Sequence, residues 1–247
     1  MTNRIVQVTI SSFILFIFLI ILNATKRMKG YKKMKKGMVF IVTFIIWTIL
    51  IKTVDVQAIG PNGTTIGFAK LNGWLHDWIG VHMTIYTITD WLGLVPITIC
   101  MVFGIIGFVQ FIKRKSIFKV DHDIMLLGMY YIAVICVYLV FEMLPMNYRP
   151  ILIEGRAETS YPSSTTFLVL CVLLSTMEQV SRRVKHYLMK RILNIVAISF
   201  CFFMVIGRLV SGVHWFTDIV GGILLSVGLF YIYKAGVVLW GGNYGIS

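Results

Sequence analysis

The chain of 247 residues is 58% hydrophobic and only 13% charged, which excludes an ordinary soluble domain and marks a multi-pass membrane protein. Its formal charge of +13 falls in short basic clusters between apolar runs, so the surplus implies no nucleic-acid partner. Cys100, Cys136, Cys171 and Cys201 all lie inside apolar runs with no CxxC spacing, which argues against a disulfide framework or a zinc site.

In chain order, Ile5 to Asn23 is an apolar run of spanning length, because a bilayer core of about 30 Å needs roughly 20 helical residues. A weakly basic flank and the lack of a small-x-small cleavage site favour a retained span over a signal peptide. The segment KRMKGYKKMKK, residues 26–36, reads as a cytoplasmic loop, which places the amino terminus outside. Met38 to Val54 is the second span. Asp55 to Asp90 is a long outer segment with a glycine-rich turn, GPNGTTIG, and a re-entrant or interfacial helix near Trp74 and Trp78. His76, Asp77, His82 and Asp90 form no compact ligand motif, so no metal is assigned.

Trp91 to Ile112 runs inward and Ile124 to Leu144 outward. A span from about Ser163 to Ser181 runs inward, Ile192 to Val210 outward, and about Thr217 to Trp240 inward again. The three inner loops hold seven, four and five basic residues, 16 of the chain's 23, so a single seven-span topology satisfies all three. The expected fold is therefore an all-α polytopic membrane helical bundle. Residues 1–37 would form an extra amino-terminal span with its basic loop, and residues 38–247 a six-span domain.

Functional chemistry gathers in GRLVSGVHWFTD, Gly207 to Asp218. Arg208 offers a planar guanidinium fork suited to a phosphate, His214 a nucleophile or base near neutrality, and Asp218, four residues on, a carboxylate to orient the ring. Alone, these residues fit equally an interfacial anchor, a loop histidine and a helix cap. The topology brings Arg149, Ser163, Arg208 and His214 to the same outer face. Gly221, Gly222 and Ser226 line one side of the last span, where packing alone accounts for them.

NYRP (Asn147 to Pro150), YPSST (Tyr161 to Thr165) and GRLVSGVHWFTD together resemble the three-part signature of the type-2 phosphatidic acid phosphatase family, KxxxxxxRP, PSGH and SRxxxxxHxxxD. The resemblance covers the last six spans. It implies a helical-bundle phosphatase that needs no metal or other cofactor, in which His214 attacks phosphorus and Asp218 orients it. Arg149, Arg208, Ser163 and Ser164 would bind the phosphoryl oxygens, the serines at the start of a helix that follows Pro162. Gly207 and Ser164 replace a serine and a glycine of the pattern. Glu142 stands in place of its lysine, and Thr165 in place of the histidine that protonates the leaving group. A hydroxyl does not supply that proton at neutral pH, so Glu142 becomes either a partner of Arg149 or Arg208 or, held protonated by burial, a surrogate acid.

The expected activity is that of an integral-membrane lipid phosphatase. It would act at the outer face on a phosphate or diphosphate head group, among membrane lipids and with no nucleic acid. A transferase of the same fold and a non-catalytic lipid-phosphate binder are the alternatives.

Overall fold

The computed structural model describes the backbone from Thr2 to Trp240 and the side chains from Thr25 onward. Among these residues eight α-helices follow one another: α1 (Thr2–Thr53), α2 (Ala69–Ile79), α3 (Met83–Leu92), α4 (Leu94–Arg114), α5 (His122–Met143), α6 (Ser164–Arg183), α7 (Tyr187–Val210) and α8 (Phe216–Trp240). Among the described residues, strand pairing is limited to isolated bridges in two loops.

Among the described residues, six segments are long and apolar enough to cross a bilayer: Thr25–Thr53 of α1, Met83–Arg114 (α3 with α4), and each of α5, α6, α7 and α8. The limits of α5, α6 and α8 fall close to the expected ones, whereas the first two segments begin at Thr25 and Met83, well before the expected Met38 and Trp91, because the helix continues through flanking polar residues. The break between α3 and α4 has a local cause. Pro96 lacks the N–H that would bond the Leu92 carbonyl, so the ladder is interrupted at Gly93, which keeps helical dihedrals and lets the axis continue.

One local expectation is corrected. Residues 26–36, read above as a loop, are helical, and α1 runs unbroken from Thr2 to Thr53. Lysine and methionine are good helix formers, and Gly30 alone does not stop a helix. The expected extra span, Ile5 to Asn23, lies outside the residues whose side chains are described.

Helix α8 lies at the centre of the bundle. Its small residues admit close neighbours: a Cβ on Gly228 would come within 2.7 Å of Ile41 in α1, and one on Gly222 within 3.2 Å of the Ser163 carbonyl. Ser226 donates to the Phe167 carbonyl of α6 at 3.1 Å. At one end of the bundle, Arg183 holds both carboxylate oxygens of Asp123 at 2.8 Å, and Arg114 pairs with Asp121. The opposite end gathers the carboxyl ends of α1, α5 and α7, the amino ends of α6 and α8, and the α2 segment.

The orientation expected from the basic clusters has the Arg183 end in the cytoplasm under the positive-inside rule. A cysteine at exposed Arg156 is therefore expected to react with an impermeant thiol reagent on intact cells, and one at exposed Lys35 to react only after permeabilisation. The reverse pattern overturns this orientation.

Candidate functional site

His214 sits in the turn between α7 and α8 and is 3% exposed. Its Nδ1 lies 3.2 Å from the Ser160 carbonyl oxygen and 3.8 Å from Asp218 Oδ2, so the hydrogen-bond partner of the ring is the carbonyl. An acceptor there fixes the tautomer with the proton on Nδ1 and leaves a lone pair on Nε2, a buried atom with no protein partner. Burial pushes the protonation of His214 well below its ordinary value of 6.5, and the charges of Arg208 and Arg149 push the same way, against a smaller opposing effect of the Ser160 carbonyl. The ring is thus neutral at physiological pH, the form a nucleophile needs.

Asp218, in the first turn of α8, braces the turn itself. Its Oδ2 accepts the Trp215 N–H at 3.0 Å in a capping interaction, and its Oδ1 accepts from Asn147 Nδ2 at 3.2 Å. The expected carboxylate–imidazole pair is therefore an approach of 3.8 Å beside a neutral ring, and the tautomer is set by the Ser160 carbonyl.

The loop between α5 and α6 brings in the next groups. Its two arms are paired backbone to backbone, Arg149 N–H to Glu158 C=O at 2.9 Å and Ser160 N–H to Asn147 C=O at 2.9 Å. That pairing fixes Asn147, Arg149 and Ser160 relative to one another. Trp215 Nε1 donates to the Tyr148 carbonyl at 2.7 Å and ties the loop to the His214 turn.

Arg208 is 1% exposed and closes α7. Its Nη1 lies 3.4 Å from Thr89 Oγ1 and 3.6 Å from Asp90 Oδ1. Arg149 Nε lies 3.1 Å from Glu158 Oε2, an ion pair whose angle is not that of a hydrogen bond. Both guanidinium groups stand over the ring of Tyr86, Arg208 at 5.0 Å and Arg149 at 5.8 Å from its centroid. Helix α3 therefore forms one wall of the site. The contact also accounts for Gly207, since a Cβ there would come within 2.7 Å of the Thr89 methyl group.

Ser163 precedes α6 and is fully buried, yet its hydroxyl makes no cap bond and has no protein partner. Its N–H donates to the Asp218 carbonyl at 3.1 Å and so is not free for an anion. The N–H groups of Ser164 and Thr165 head the helix, where backbone donors have no intrahelical acceptor. Thr165 is half-buried, and Thr166 adds a second buried hydroxyl without a partner. Glu142 is exposed, and the carboxylates paired with the arginines are Asp90 and Glu158. Neither role expected of Glu142 is met in this arrangement: it pairs with neither arginine and is not buried, although it lines a small cleft with Ser160, Pro162 and Ser164.

Arg149 Nη1, Arg208 Nε, the hydroxyls of Ser163 and Thr166, and His214 Nε2 are all buried without protein partners. Buried polar atoms are nearly always paired, so the unpaired guanidinium nitrogens of Arg149 and Arg208, whose charges bear on His214, make this a candidate site for an anion with several oxygens. Among the described residues, no three His, Cys, Asp or Glu side chains gather as metal ligands would. Sequence reasoning missed Ser160, Tyr86, Thr89, Asp90 and Thr166. Ser160 acts through its backbone carbonyl, which leaves no trace in side-chain identity.

The profile of the PAP2 superfamily matches residues 98–239. Among solved structures, the chain is similar to the crystal structure of the first transmembrane PAP2-type phosphatidylglycerolphosphate phosphatase from Bacillus subtilis. The two superpose with a TM-score of 0.61 at 19% identity, over 85% of this chain and 99% of that one, a likeness of fold. No curated protein matches significantly.

Proposed function

Because the chain belongs to the PAP2 superfamily, we propose that it is a membrane lipid phosphatase that hydrolyses a phosphate or diphosphate head group through a phosphohistidine at His214. The observation that carries this reading is the unpaired His214 Nε2 among the unpaired donors of Arg149, Arg208 and Ser163. In the first step Nε2 attacks phosphorus, the bond to the leaving oxygen breaks with its electron pair, and the guanidinium groups and the serine hydroxyl hold the non-bridging oxygens. The Nδ1–H bond to the Ser160 carbonyl stabilises the positive charge that develops on the ring. Water then attacks the phosphohistidine, releasing inorganic phosphate and neutral His214. Guanidinium groups supply charge stabilisation of the kind Mg²⁺ supplies in other phosphoryl-transfer sites. The basic clusters support an extracytoplasmic position for the site.

Thr165 bears on the substrate. A lipid alkoxide leaving group needs a proton in the transition state, whereas a departing phosphate is already a stable anion. A site without an acid at position 165 favours diphosphates such as a polyprenyl diphosphate over phosphatidate. The deciding experiment measures phosphate release by purified protein from phosphatidate, phosphatidylglycerophosphate and polyprenyl diphosphate, in wild type and in Thr165→His. The expected outcome is faster diphosphate cleavage in wild type, with phosphatidate cleavage raised toward the ~10²-fold or more that a general acid contributes. Faster phosphatidate cleavage by wild type, lost in Glu142→Gln, would instead make Glu142 the acid. Binding without turnover of any substrate is the outcome expected of a non-catalytic lipid-phosphate binder, the reading that the threonine at position 165 also favours.

A further inference from the structure

The turn that carries His214 is short and holds a glycine in the left-handed region, Gly212 at φ +68. Such a turn keeps one geometry only if its surroundings impose it. Much of that constraint comes from α2 and the link from it to α3, residues 72–82, which hold no phosphoryl oxygen in the chemistry described above.

Asn72 of α2 is 1% exposed and meets Thr217 at two points. Its Oδ1 accepts the Thr217 N–H at 3.3 Å, and its Nδ2 donates to Thr217 Oγ1 at 2.9 Å and to the Gly67 carbonyl at 2.8 Å. Thr217 is in the first turn of α8, where backbone N–H groups lack intrahelical acceptors, so Asn72 caps α8 from another helix. One turn along α2, His76 Nε2 lies 3.2 Å from the Gly212 carbonyl, and its ring stands 5.4 Å from that of Trp215. The His82 N–H donates to the Ser211 carbonyl at 3.0 Å. Gly212 is pressed on the Gly80 carbonyl, so that a Cβ would come within 2.1 Å of that oxygen. Trp47 of α1 completes the frame with a 3.1 Å bond to the Thr217 carbonyl. Residues 211, 212, 215 and 217 are thus held on both sides of His214 by one short segment.

We propose that Asn72 is a positioning residue for the His214 turn, and that α2 is a brace which sets the aim of the nucleophile. The proposal rests on the reading of His214 as nucleophile. Asn72 has its polar atoms spent on Gly67 and Thr217, so its effect on catalysis runs through the placement of His214 and not through contact with substrate.

The test uses the purified full-length chain in detergent micelles, with phosphatidate and polyprenyl diphosphate as substrates. In Asn72→Ala, kcat is expected to fall by about 10²-fold while KM changes by less than about threefold, because a nucleophile misplaced by an ångström loses rate without losing the phosphate ligands. Asn72→Asp keeps the acceptor for Thr217 N–H and loses the two donated bonds, so it should fall between. A loosened turn also admits water to His214. The acid limb of the pH profile should then rise toward 6.5, as the ring escapes the burial and the charges of Arg208 in α7 and Arg149 in the loop, with Asp218 of α8 and His76 of α2 the other ionisable groups about the turn. Amide hydrogen exchange should quicken at residues 211–217 and stay unchanged in α4 and α5. Lys70→Ala, on the exposed side of α2, serves as the unaltered control.

Wild-type kcat in Asn72→Ala, or a loss carried wholly by KM, overturns the brace. So does unchanged exchange at residues 211–217, which decides the matter even if neither lipid is turned over. His214→Ala run in parallel separates the two ideas: if it keeps full turnover, the nucleophile reading fails, and if it is inactive beside normal Asn72 variants, the brace alone fails.

Discussion

His214→Ala is expected to abolish turnover, by about 10⁴-fold or more, since a covalent route loses its only attacking atom and the remaining arginines provide binding alone. The measurement is phosphate release by purified protein, paired with a search for an acid-labile phosphoryl label that wild type carries and the variant lacks. Full activity in the alanine variant would remove the phosphohistidine route. Asp218→Asn is expected to keep a small fraction of activity. Its amide would face either the Trp215 N–H or the Asn147 amide, donor against donor, so the turn is strained as well as stripped of a charge. The pH dependence has a definite sign. With His214 depressed below 6.5, the neutral ring prevails in the free enzyme at pH 7, and the acid limb of kcat/KM lies below 6.5. The same shift lowers stability in acid: below pH 6.5 the unfolded chain binds a proton that the folded site resists until lower pH, so the neutral-ring contribution shrinks as pH falls.

The second large effect is expected at Arg208. Arg208→Lys should lower kcat/KM by about 10²- to 10³-fold, comparable to the loss of an oxyanion donor. The guanidinium stands over Tyr86, keeps Nη1 near Thr89 and Asp90, and still has Nε free. An ammonium is a point charge and reproduces at most one of these relations. Arg208→Lys with wild-type kcat/KM would show that charge alone suffices and would exclude a directional role.

The six spans were legible because hydrophobic runs of about 20 residues have one stable arrangement in lipid and because charge closes each run. Helix α5 was expected over residues 124–144 and spans His122–Met143. The order of Arg149, Ser163, Arg208, His214 and Asp218 was legible because all five sit at one end of that bundle. What could not be read depends on chain segments meeting across long separations. Thr89 reaches Arg208 across 119 positions, from a segment whose sequence suggests only an interfacial helix. The Ser160 carbonyl could be any residue's carbonyl. The motif position of Glu142 suggests either an arginine partner or a surrogate acid, whereas the arginines are paired from α3 and from the α5–α6 loop, which depends on side-chain reach. The helical basic stretch was misread because charge density favours a loop only where helix-breaking residues accompany it.

The contact between Thr89 and Gly207 makes these two positions a size-exchange pair. A serine at 207 requires α3 to stand back from α7, and a standing-back α3 moves Thr89 and Asp90 off Arg208. A comparison that scores each alignment column separately would read Gly207 as a decayed motif serine. Taken jointly with position 89, it is the small half of a matched steric contact.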